Sequence, residues 1–154
     1  MRLLCSLTVL LLVPNALAGR ALPKHARLWL EAHRDFTVAT RLQPQWMRGD
    51  FDGDGKSDVA LSVERKRKRG VVVLFAEPSR RPVVIGAGTR FNDMDNLDFT
   101  QWACFSGKRR VPRGAGEGRP PRLRSDALLL VWEESASAVV YWNGERFVWY
   151  QQGD

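Results

Sequence analysis

The chain has 154 residues, with 24 lysines and arginines against 17 acids, a formal charge of +7 and only two cysteines. With 44% apolar and 27% charged residues it is neither a disordered chain nor a membrane bundle, and its length suits one core. The cysteine count excludes a disulfide-knit scaffold.

Residues 1–18 read as a secretory signal rather than as part of the fold. Arg2 heads an apolar run from Leu3 to Val13, and small residues at Ala16 and Ala18 mark a cleavage site after Ala18. The run is too short to cross a bilayer, and no other stretch is long enough, so no membrane span is expected. Removing 18 residues leaves 136, and because Arg2 goes with them the charge falls from +7 to +6. A periplasmic or secreted product with the single cysteine Cys104 is expected, its oligomeric state left open.

A helix is predicted from Leu22 to Phe36. Pro23 suits its first turn, and Leu22, Ala26, Trp29 and Phe36 recur on one face. His25 and His33 have no third ligand nearby and read as surface or half-packed residues. Phe36, Val38, Thr40 and Leu42 then alternate as a short strand ended by Pro44.

Gly49 to Leu61 reads GDFDGDGKSDVAL and carries the clearest chemistry in the chain. Counting Asp50 as position 1, Asp52, Asp54 and Asp58 occupy positions 3, 5 and 9, Lys56 stands at 7 and Gly55 at 6. Calcium is a hard cation that takes six or more oxygens, so clustered carboxylates suit it better than they suit zinc. Position 7 of such a loop offers its backbone carbonyl, which a lysine can do. Position 6 needs the sharp turn that glycine makes most easily. Position 12 is Leu61 rather than an acid, and Val59 to Val63 looks like a strand, so the stretch departs from an EF-hand.

The loop-to-strand pattern resembles an FG-GAP or VCBS-type repeat, whose core runs G-D-F-D/N-G-D-G-x-x-D-hydrophobic. The resemblance implies calcium (Ca2+) held by Asp50, Asp52, Asp54 and Asp58, with the carbonyl of Lys56. It covers residues 49–61 only, with no second copy, and so does not imply a propeller.

Val59 to Val63 and Gly70 to Phe75 are predicted to form a hairpin with a basic tip at Glu64 to Arg69. A strand at Val83 to Ile85 follows. Asn92 to Asp98 is a second polar cluster that could add oxygens to the first loop, or be an ordinary turn. Alternation from Leu97 to Phe105 predicts a strand in which Cys104 is a small buried residue. Ser106 to Ser125 carries Lys108, Arg109, Arg110, Arg113, Arg119, Arg122 and Arg124 against Glu117 alone, and is predicted to be a flexible basic loop that builds no core. Strands at Asp126–Trp132, Ala138–Trp142 and Arg146–Gln151 end the chain, the last two joined at Asn143-Gly144 by a type I′ turn.

The expected architecture is α+β: one N-terminal helix packed on a mostly antiparallel, meander-type sheet of about six or seven strands, in a single domain over residues 19–154. The chain has no G-x-S-x-G, H-E-x-x-H or C-x-x-C motif, so a non-catalytic, calcium-binding accessory domain is the first functional reading. The alternative is a polyanion binder that meets an anionic envelope polymer through Arg65, Lys66, Arg67, Lys68, Arg69, Lys108, Arg109 and Arg110. A third is a periplasmic inhibitor or immunity protein whose partner is another exported protein.

Overall fold

The strands β3 (Asp58–Arg65) and β4 (Lys68–Leu74) form the spine of the molecule, and both of their faces are apolar. In β4, Val71 and Val73 point to one side while Val72 and Leu74 point to the other, and all four are buried. A sheet built on such strands needs cover on both faces. The computed structural model, which describes residues 21–114, 118–133 and 136–153, shows what supplies that cover. The predicted signal, residues 1–18, lies outside the described residues.

The first sheet has five antiparallel strands. Beside β3 and β4 it contains β1 (Thr37–Val38), β2 (Trp46–Gly49) and β5 (Val83–Gly86). β1 and β2 share one edge of β3, pairing with residues 63–64 and 58–61 respectively. Ser62 spans the gap between them: its backbone N–H donates to the Gln45 carbonyl at 2.9 Å and its carbonyl accepts from the Ala39 N–H at 3.1 Å. The second sheet is a four-stranded meander of β6 (Gln101–Phe105), β7 (Ala127–Trp132), β8 (Ala136–Trp142) and β9 (Phe147–Gly153).

The two sheets meet through one apolar cluster, to which the first contributes Ala60, Val71, Val73 and Ile85, and the second Trp102, Leu128, Leu130, Val140 and Phe147. The helix α1 (Lys24–Ala32) covers the opposite face of the first sheet, where Ala26 and Trp29 pack with Val59, Leu61, Val72 and Leu74. A third cluster lies on the opposite face of the second sheet, where Val111 packs with Phe105, Ala127, Val139 and Tyr150, which corrects the expectation that residues 106–125 build no core.

The expected α+β fold, with a helix on one meander sheet, is therefore corrected. Strands make up 41% of the described residues and the helix 7%, in a β-rich fold of two antiparallel sheets. The physical reason lies in β3 and β4: one short helix covers a single face, and only a second sheet covers the other. Several local expectations shift as well. α1 stops at Ala32, where the His33 ring stacks on Trp29 with centroids 4.4 Å apart and His33 Nδ1 lies 2.8 Å from the Trp29 carbonyl oxygen. The strand expected from Phe36 to Leu42 shrinks to two residues, and that from Leu97 to Phe105 begins at Gln101. The turn at Asn143 is a four-residue loop rather than a two-residue one, because Trp142 pairs with Phe147 and the Asn143 side chain accepts from the Glu145 and Arg146 N–H groups.

Candidate metal centre

The acidic loop is the connection of a hairpin. Gly49 ends β2 directly opposite Asp58, which begins β3, so residues 50–57 are held at the end of a paired ladder. Phe51 turns inward and is fully buried in the cluster between the sheets, anchoring the first half of the loop. Gly53 and Gly55 adopt φ of +82° and +80°, left-handed conformations that other residues resist. Nothing lies within 4 Å of a Cβ placed on Gly55, so the demand there is on the backbone alone.

Each carboxylate is oriented by backbone N–H groups. Asp50 Oδ1 accepts from the Gly53 N–H at 2.8 Å and its Oδ2 from the Gly55 N–H at 3.0 Å. Asp52 Oδ1 accepts from Asp54 at 3.1 Å, and Asp54 Oδ1 from Lys56 at 2.7 Å. Asp58 is fully buried and bridges two segments, accepting from the Phe51 N–H at 2.8 Å and, just past the end of β4, from the Ala76 N–H at 2.8 Å. Burial pushes the Asp58 carboxyl up, its two backbone donors pull it down, and nearby Asp52 and Asp54 push it up again.

Asp50, Asp52 and Asp58 each bring an oxygen within 4.8 Å of the other two. Such a trio of hard donors on a turn-rich loop fits a calcium-like cation, whose demand is for several oxygens rather than for nitrogen or sulfur. Asp54 and Lys56 stand outside the trio. The Lys56 ammonium reaches 3.9 Å from Asp54 and 2.8 Å from Glu77, and its hydrogen bond to Glu77 raises the lysine pKa and lowers that of the glutamate.

Two further residues complete the surroundings, and neither carries a local sequence signal. Arg80, in the turn after β4, places its guanidinium on Asp52 Oδ2, and the Asp52 side chain is wholly enclosed. Asp126, just before β7, accepts from the Asp50 N–H at 3.1 Å with one oxygen and from the Gly107 N–H at 3.0 Å with the other. Its own N–H donates to the Asp50 carbonyl at 2.8 Å. The loop is thereby tied to both ends of the basic segment.

The other predicted site residues separate into two groups. Along the first hairpin the strands run on to Arg65 and resume at Lys68, leaving only Lys66 and Arg67 at the tip. Arg65 reaches Asp35 at 3.7 Å, Lys68 pairs with Asp95, and Arg69 pairs with Asp98. The Asn92–Asp98 cluster thus serves as counter-charge to this hairpin, with Asn96 Oδ1 also accepting the Arg69 N–H at 2.7 Å. Lys108, Arg109 and Arg110 are exposed and have no acid partner among the described residues. Cys104 differs from its expected burial: it is an exposed, free cysteine on the edge strand β6.

No protein-family model matches the chain, and no curated protein or solved structure matches it either.

Proposed function

We propose that the protein is an exported, non-catalytic accessory domain whose FG-GAP-like loop binds calcium as a structural ion. The observation that carries this reading is the convergence of Asp50, Asp52 and Asp58 on a glycine-turned hairpin loop. Asp58 would serve the ion and the fold together, because the same carboxylate closes Phe51 onto the core and fastens Ala76. With Leu61 at position 12 there is no terminal acid, so the affinity belongs to the extracellular range, on the order of 10⁻⁴ M.

The test is thermal unfolding with calcium and with chelator, together with titration calorimetry. An ion that binds only the folded chain at a hundredfold excess over Kd adds about 2.7 kcal/mol. Asp50→Ala or Asp52→Ala should abolish that gain. Equal midpoints with no heat of binding in the unaltered protein would end the calcium reading.

A further inference from the structure

The cations of the first hairpin are largely neutralised by acids, but those of the segment before β7 are not. Residues 107–111 and 119–123 form the two walls of a cavity of about 600 Å³, a volume within the range of small-ligand sites. Five cationic residues line it: Lys108, Arg109 and Arg110 on one wall, Arg119 and Arg122 on the other. Among the described residues no acid lines the cavity, and none of the five cations has an acid partner. Like charges gathered around one space repel, and an anion in that space relieves the repulsion.

The walls are fastened to the fold. Tyr150 Oη, on β9, accepts from the Gly114 N–H at 3.1 Å and donates to the Gly118 carbonyl at 3.3 Å, so one hydroxyl ties down residues just beyond each wall. Val111 is buried at the base of one wall, and Leu123 of the other packs on the same cluster. The Arg109 guanidinium lies 4.9 Å from the centre of the Phe105 ring. Asp126 holds Gly107, where the first wall begins.

We propose that this cavity is a binding site for a compact oligophosphate. Four of the five cations are arginines, whose planar forks match phosphate oxygens two at a time. Cations approach from two sides, which favours several phosphate charges in a small volume over one carboxylate. The site is separate from the acidic loop and does not depend on the calcium reading.

The probe is sodium tripolyphosphate, titrated calorimetrically into the intact protein at low salt. Two variants remove the same charge from different places: Arg110→Gln/Arg119→Gln in the cavity and Lys66→Gln/Arg67→Gln at the hairpin tip. All four positions are solvent-facing, and melting curves without ligand check that both variants fold. Saturable binding is expected in the unaltered protein, weakened at least tenfold in the cavity variant and less than twofold in the tip variant. No saturable heat, or equal weakening in both variants, overturns the site. Binding of heparin without binding of tripolyphosphate overturns it in favour of a long polyanion. Phosphatidylcholine vesicles carrying diphosphorylated lipid A separate the two sources of this chemistry. Sedimentation that tripolyphosphate reverses assigns the phosphates to a lipid headgroup, whereas tripolyphosphate binding without sedimentation assigns them to a soluble ligand. Sedimentation with pure phosphatidylcholine overturns the proposal.

Discussion

Arg80 and Asp52 form an ion pair inside the acidic loop, and the same guanidinium lies 4.8 Å from the Phe75 ring centre and 4.7 Å from that of Trp142. The aromatic contacts hold the arginine against a loop carboxylate that solvent does not reach. A cation entering among Asp50, Asp52 and Asp58 must therefore share or displace a charge already present.

Arg80→Gln should act in two opposite directions. Without calcium it leaves an enclosed carboxylate short of its partner, and stability should fall by about 1–3 kcal/mol. With calcium, loss of the competing charge should tighten binding roughly three- to tenfold. Melting curves with and without calcium read both effects, and Trp142 gives a fluorescence signal beside the substitution. Looser calcium binding in the variant would show that Arg80 helps to hold the site open.

Asp58→Asn keeps the size of the side chain and removes one of its two acceptors. Either the Phe51 or the Ala76 N–H then faces an amide NH2 group in a buried place. The expected loss is about 1–3 kcal/mol even in the presence of chelator, measured by urea unfolding. A loss that appears only with calcium would mean that the carboxylate serves the ion alone.

Cys104 tests the sheet edge. The residue is exposed, but its sulfur lies against the chain, since a Cβ on Gly49 would come within 3.1 Å of it, and this partial desolvation, helped by the Asp126 charge, raises the thiol to about 11. At pH 8 such a thiol is only about one part in a thousand thiolate, against roughly a quarter for an ordinary cysteine. Its alkylation should run about tenfold slower than that of glutathione, once the greater nucleophilicity of the more basic thiolate is included. Because the folded value lies above the unfolded one, the thiol's contribution to stability is complete below about pH 8.5 and fades as pH climbs towards 11. The unaltered protein should therefore lose more stability than Cys104→Ser between pH 8 and pH 10. Parallel losses would show that the thiol is as free in the folded chain as in the unfolded one.

Local chemistry was legible in the sequence wherever one short stretch decides it. The glycines of the acidic loop had to turn sharply, and Gly53 and Gly55 do so because no side chain makes positive φ costly there. The strands at β3, β4, β7, β8 and β9 followed from apolar runs between turn residues. Partners distant in sequence were not legible. Nothing near Asp52 announces Arg80, and nothing near Asp50 announces Asp126, 76 residues away. The bases at Arg65–Arg69 and at Lys108–Arg110 look alike as sequence, yet the fold sets Asp35, Asp95 and Asp98 beside the first group and leaves the second facing its own cavity. The layering was hidden for the same reason. Period-2 alternation tells which side chains share a face of β4, but whether a helix or a sheet covers that face depends on packing between segments that meet only in the folded chain.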